Sequence, residues 1–295
     1  MAKHSNTPMF RTDRQRRSGR VVRFVAAFVA FTLLFAALSF FYLMRQLDWD
    51  FANFWERGTP NPPDSSGDGI SESLSGSAVF LLGCSAGKAE NLTLLALVKV
   101  DLSQKALLLC TVSPEERGNS GGQNLSFQSH YKNGGVLQLQ EAVEQSYALR
   151  VDRYLLADES GFKTIINQFR GLRLTVPALI DYNIEGLRLY LMKGAQTLGG
   201  DALLRYLQYQ SLRGAEGLAA QAEVLRAMLE QYLTAANVEK GDAAGNRLFE
   251  TAVNALDCNV SVLDFAVNQK ALRYLTDPKA CFTVQIVATP ADFGE

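Results

Sequence analysis

The chain has 295 residues, of which 47% are hydrophobic and 20% charged, and a formal net charge of −1. That balance hides an asymmetry: residues 1–23 hold seven basic residues and one acid, a charge of +6, which leaves −7 on the remainder. A mildly acidic main body excludes nucleic-acid binding through a basic patch, and four scattered cysteines with two histidines, His4 and His130, exclude a clustered zinc site.

Residues 24–44, FVAAFVAFTLLFAALSFFYLM, are uncharged and mostly apolar, with Arg23 before them and Arg45 after. As a helix they would be ~31 Å long, enough to cross a bilayer core of ~30 Å. A core helix is rarely apolar all round at this length, and a cleaved signal peptide would have a shorter apolar region followed by small residues. The basic cluster precedes the segment, so the expectation is a single-pass signal anchor in the cell membrane. Residues 1–23 then form a cytoplasmic tail and the C-terminal domain is extracytoplasmic. Residues 45–77 begin with Trp49, Phe51, Phe54 and Trp55, an interfacial collar, and continue as a Gly/Pro/Ser-rich linker.

The folded domain is expected over 78–295. AVFLLGC (78–84), LTLLALVKVD (92–101) and KALLLCTVS (105–113) are near-continuous apolar runs, as expected of central strands covered on both faces. Residues 114–135, with five glycines, are loop-like. Helical spacing follows at 136–149, a strand at 153–158, a helix at 159–169, and strands at 172–180 and 186–191. Helices are expected at 200–210, 217–235, 246–257 and 261–275, and a last strand at 282–288. Strands interleaved with helices predict an α/β fold, an αβα layered domain with a central mixed sheet. Cys84 and Cys110 lie in apolar runs and are expected as small buried hydrophobes; a Cys258–Cys281 disulfide is open to an oxidising exterior.

This order of segments resembles the LytR–CpsA–Psr family of cell-envelope proteins over roughly 78–290. AVFLLGC stands where that family has a first strand ending in Leu-Leu-Gly. LVKVDLSQKALLLCTVSPEE, HYKNGG, RVDRYLLADESGFKTIINQFRGLRLTVP and KGAQTLGGDALLRYLQYQ follow in the family's order and spacing. The resemblance implies a protein that moves a glycopolymer from a polyprenyl-pyrophosphate carrier to peptidoglycan. Such proteins clamp the pyrophosphate with arginines and an aspartate-held magnesium ion, and bury the lipid tail in an apolar tunnel.

Carried across position by position, the charged set is replaced. The family's arginine and metal aspartate after the first strand fall within Asn91, Leu92, Thr93 and Leu94. Its Pro-Arg-Asp falls on Ser113, Pro114 and Glu115. Its paired arginines fall on Gln208 and Gln210, with Tyr206 and Tyr209 kept, and its next Asp and two Arg fall on Gly214, Gly217 and Ala220, with Gln221 kept. Arginine groups in phosphoryl transfer are worth ~10³ to 10⁵ in rate, so the expectation is a catalytically impaired relative. It would bind polyprenyl-linked glycan or a cell-wall polymer through Gln208, Gln210, Tyr206 and Gln221, or partner an active paralogue.

Two alternatives stand beside it. One is an active, divergent phosphotransferase using Glu115, Arg117, Arg205 and Arg213, with magnesium on Glu115. The other is a purely structural envelope protein. Lys88, Glu116 and His130 are further candidates, each more simply read as a surface charge or a structural residue. A continuous apolar tunnel with Gln208 and Gln210 at its mouth would favour lipid binding, and a filled core there a purely structural role.

Overall fold

A computed structural model describes residues 74–295 except 88–90, 185, 240–244, 262–263, 265–266 and 294–295. The chain divides into two units, residues 1–70 and 71–295, and the second holds the layered domain. The basic tail, the apolar segment 24–44, the collar and most of the linker lie outside the described residues. Among the described residues, no helix is long and apolar enough to cross a membrane.

The first three apolar runs form the middle of a sheet. Strand β1 (Ser77–Ala86) pairs antiparallel with β2 (Asn91–Asp101), which pairs antiparallel with β3 (Ala106–Thr111) in a register that sets Asp101 opposite Ala106. Strand β6 (Arg153–Ala157) lies parallel to β1, and β12 (Thr283–Ile286) parallel to β3. With β11 (Leu256–Cys258) at the far edge, the order is β11-β6-β1-β2-β3-β12, a mixed six-stranded sheet.

Both faces are covered, which is why β1 and β2 are apolar throughout rather than alternating. On one face, Leu81, Leu95 and Leu97 pack with Phe127, Leu139 and Val143 of helix α1 (Phe127–Tyr147). On the other, Leu94, Ala96 and Val98 pack against helices α2 (Glu159–Gln168), α3 (Gly200–Ser211) and α4 (Gly214–Tyr232). The expected αβα layering is therefore present. Shorter helices α5 (Ala235–Glu239), α6 (Gly245–Asn254) and α7 (Gln269–Leu275) follow.

Three stretches depart from expectation. The glycine-rich run at 114–135 is not a loop: it holds a hairpin of β4 (Arg117–Ser120) and β5 (Gln123–Ser126) and the first turns of α1. Gly121 and Gly122, at φ +57° and +79°, form the two-residue turn whose left-handed backbone suits paired strands. Gly134 and Gly135 break α1 locally instead of ending it. The strand expected over 172–180 stops at Pro177: β7 (Leu172–Val176) pairs with β10 (Gly194–Leu198), and β8 (Ile180–Ile184) pairs with β9 (Leu187–Leu191). The helix expected over 246–257 gives way at Asn254 to β11.

All four cysteines are free thiols, so the Cys258–Cys281 bond is not formed; Cys84 and Cys110 are buried as expected, and Cys281 is exposed. Burial pushes the Cys84 thiol up to about 12 and Cys110 to about 11. Neither forms appreciable thiolate at neutral pH. We expect iodoacetamide at pH 8 to label Cys281 first and to reach Cys84 only on unfolding, which peptide mass mapping would check.

Candidate functional site

The sequence candidates converge where β2 begins and β3 ends. The Leu92 amide donates to Gln128 Oε1 (2.5 Å), and the Thr93 carbonyl accepts from Gln221 Nε2 (2.9 Å). Gln221 also reaches the Leu207 carbonyl (3.4 Å), tying β2, α3 and α4 together. Thr111 Oγ1 at the end of β3 donates to the Leu218 carbonyl of α4 (3.0 Å). Gln128, Gln210 and Gln221 are all buried. Gln210 hydrogen-bonds the Tyr206 hydroxyl and accepts from Arg213 Nη1 (3.1 Å). Burial raises the Tyr206 pKa, and the Gln210 bond and the Arg213 charge oppose that rise.

The space between the α3 C-terminus and the α4 N-terminus is closed by backbone. A Cβ at Gly217 would stand 1.8 Å from the Gln210 carbonyl oxygen, so no side chain fits there with the helices where they are. A charged residue at this position would require α3 and α4 to separate.

The other candidates are engaged elsewhere or isolated. Arg205 pairs with Asp201 (2.8 Å) and donates to the Arg188 carbonyl (3.2 Å), outside the amide cluster. Arg213 lies beside it but is tied to Glu216 (2.5 Å) and sits over the Tyr209 ring, 5.7 Å from its centroid. Arg117 is exposed at the start of β4 and makes no ion pair among the described residues. Glu115 is exposed, its own amide donating to Ser113 Oγ (3.3 Å). Glu116 accepts the Tyr147 hydroxyl (2.7 Å), a structural bond that, after burial, is the next cause of the raised Tyr147 pKa. Gln208 is half-buried on α3, and Lys88 lies outside the described residues.

His130 is fully buried, with Nε2 at 3.0 Å from the Gly118 carbonyl and Nδ1 at 3.3 Å from Gln138 Nε2. The Nε2–H tautomer satisfies both bonds and leaves no nitrogen free to act as a base.

Magnesium does not fit these residues. Asn91–Leu94 offer no carboxylate, Glu116 beside Glu115 is engaged by the Tyr147 hydroxyl, and no group of three His, Cys, Asp or Glu able to hold a metal occurs among the described residues.

The LytR_cpsA_psr family matches residues 114–285, more than half of the chain. The chain belongs to that family. It is 26% identical over 195 residues to a Bacillus subtilis (strain 168) protein, polyisoprenyl-teichoic acid–peptidoglycan teichoic acid transferase TagV. That match takes in 63% of this chain and 49% of TagV, so the chain spans about half the length of this relative. The crystal structure of B. subtilis TagV superimposes with a TM-score of 0.58 at 21% identity, covering 73% of this chain and 85% of the other. A Streptococcus agalactiae protein gives 0.59 at 16%, covering 72% and 77%. TagT bound to LI-WTA gives 0.53 at 17%, covering 72% and 78%. At these identities the structural likeness speaks for the fold.

A second feature of this LytR_cpsA_psr-family domain lies at the opposite end of α4. A cavity of about 470 Å³ is lined in part by Gly76–Ala78, at the start of the described domain. Its walls are apolar: Phe80, Leu82 and Val98 of the sheet, Leu229 of α4, and Ala271 and Leu272 of α7. Gln208 and Gln210 do not line it. Gln221 is eight residues from Leu229, ~12 Å along the helix, and Leu94, Ala96, Leu207 and Leu225 fill the core between them. No apolar tunnel with Gln208 and Gln210 at its mouth is found among the described residues; the core beside them is filled, and the apolar cavity lies against Gly76–Ala78 instead.

One charged network beside the cluster has a pH signature. Lys163 bridges Glu159 (2.8 Å) and Asp201 (2.9 Å), and its hydrogen bonds hold both carboxyls below their ordinary pKa. Because the folded pKa values are depressed, this contribution is present above the unfolded carboxylate pKa of ~4 and is lost as pH falls through the folded values. We expect chemical-denaturation stability to decline below about pH 4, and Lys163→Met to flatten that decline.

Proposed function

We propose that this is a membrane-anchored, extracytoplasmic protein of cell-wall glycopolymer assembly that holds a polyprenyl chain in its apolar cavity without the phosphotransfer chemistry of its active relatives. The family membership and the TagV relationship support the process. The sequence of residues 24–44 supports the anchor and the cell-membrane location. The observation that carries the loss of chemistry is the amide cluster: Gln128, Gln210 and Gln221 hold backbone and one another's neighbours, and Gly217 closes the helix gap on the Gln210 carbonyl. Amides donate hydrogen bonds but bring no charge to a pyrophosphate, whose transfer depends on arginine and metal. An active paralogue would then supply the chemistry.

The divergent-transferase reading needs Arg117, Arg205 and Arg213 to converge. Arg205 and Arg213 are each committed to a carboxylate and a carbonyl or amide, which speaks against it. The filled core beside Gln208 and Gln210 favours a purely structural role, and the separate apolar cavity against Gly76–Ala78 is what supports lipid binding over it. The test is to reconstitute the full chain in lipid nanodiscs with a radiolabelled polyprenyl-pyrophosphate sugar and magnesium. Retention of label without phosphoryl release is expected. Release that disappears in Arg213→Ala would overturn the reading.

A further inference from the structure

The two edges of the central sheet differ in how they meet other chains. At one edge, β11 is three residues long and carries the exposed Asp257, a charge that discourages pairing with a further strand. At the other, β12 is the last strand of the sheet among the described residues, and it holds neither a charge nor a proline. The surrounding run 280–291 is uncharged as well.

The outer side of β12 is arranged for hydrogen bonding. Thr283 and Val287 donate their amides to the Lys105 and Leu109 carbonyls, both at 2.9 Å, so every second residue faces β3. The N–H and C=O groups of Val284 and Ile286 therefore point away from the sheet. Their side chains lie on one face. Val284 packs against the core, whereas Ile286, two residues on, is 42% exposed.

We propose that β12 is the edge to which a second copy of this chain adds, antiparallel, across a two-fold axis at Gln285. The register follows from the outward groups. Val284 of each copy stands opposite Ile286 of the other as a hydrogen-bonded pair, giving about four main-chain bonds. Gln285 stands opposite itself as the closer, non-hydrogen-bonded pair. Each exposed Ile286 then meets Val284 of the second copy on the same face. A two-fold contact needs a surface complementary to itself, and an uncharged strand meets its own copy without like-charge repulsion. The result is one sheet continuous through both copies. A four-residue edge buries well under the ~1,200 Å² of a stable interface, so the pairing is weak and concentration-dependent. It stands independently of the proposed function.

The test is oxidative cross-linking of the purified full chain, at high concentration in detergent, in a Cys281→Ser background that removes the exposed thiol. Gln285→Cys would set its two Cα atoms ~4.5 Å apart, within the ~4.4–6.8 Å span of a disulfide. Covalent dimer is expected at least about tenfold faster than from Gln145→Cys, which is exposed on α1. Adding Ile286→Pro removes an outward N–H and spares the bonds to β3; adding Ile286→Lys puts a charge on the edge. Each should slow cross-linking about tenfold, with the melting temperature close to the parent's. The lysine variant keeps the test decisive should the proline variant unfold. Cross-linking no faster at Gln285→Cys than at Gln145→Cys would overturn the proposal, as would cross-linking indifferent to a folded Ile286 variant.

Discussion

Gly217→Ala is expected to destabilise the domain by about 3 kcal/mol, near the upper end for overpacking. The new methyl carbon would meet the Gln210 carbonyl oxygen at 1.8 Å, and the obstacle is backbone rather than a side chain that can turn away. Relief requires α3 and α4 to move apart, which pulls on the Gln221 bonds to the Thr93 and Leu207 carbonyls and on the Arg213–Gln210 bond. Gly214, three residues earlier, serves as the control. Nothing lies within 4 Å of its would-be Cβ, and its φ of +58° exposes an alanine there to backbone strain alone, about 1 kcal/mol. Urea unfolding of the two variants should therefore differ clearly in midpoint with similar slopes. Equal midpoints would show that the helix contact is loose.

Ala271→Trp is expected to abolish retention of a polyprenyl chain while leaving the fold intact. Ala271 lines the cavity and is only half-buried, so the indole can occupy the empty volume without displacing the packed core. Apolar burial stabilises by ~25 cal/mol per Å², so the chain's affinity comes from the wall area that the indole would cover. A loss of at least about tenfold in affinity is expected, since each 1.4 kcal/mol is tenfold. The melting temperature should stay the same or rise as the void is filled. Retention unchanged in Ala271→Trp would place the lipid elsewhere.

The sheet core was legible in the sequence because covering both faces demands the unbroken apolar runs at 78–84, 92–101 and 105–113, and these became β1, β2 and β3 within a few residues. The elements that were missed carry signals of another kind. Arg117–Ser126 has no apolar alternation, so its hairpin depends on the Gly121–Gly122 turn, and the same glycine richness disguised the early turns of α1. Strand β10, GAQTL, is held by pairing with β7 rather than by its own pattern.

At the site, the loss of charge at Gln208, Gln210, Gly214 and Gly217 was visible residue by residue. That Gly217 has no room for any side chain was not, because the obstacle is a carbonyl on a neighbouring helix. His130 was open to a catalytic or a structural reading, and the pairing with the Gly118 carbonyl and Gln138 decides for the structural one. The apolar cavity and a polar groove bring together segments far apart in the chain, such as Ala78 with Ala271 and Ser85 with Asp158, which no local pattern joins.

The central claim is that the apolar cavity, and not a charged clamp, holds the ligand. The most direct measurement compares the affinity of the full chain in nanodiscs for one polyprenyl chain carrying three heads: alcohol, monophosphate and pyrophosphate, each with and without magnesium. With neutral amides at the cluster and the adjoining Arg213 already paired with Glu216, the three affinities should agree within about threefold and be indifferent to magnesium. A charge-assisted contact is worth about 1.5–3 kcal/mol, so even one working arginine clamp would separate pyrophosphate from alcohol by about tenfold or more. Magnesium-dependent pyrophosphate binding, a hundredfold or so tighter than that of the alcohol, would contradict the account.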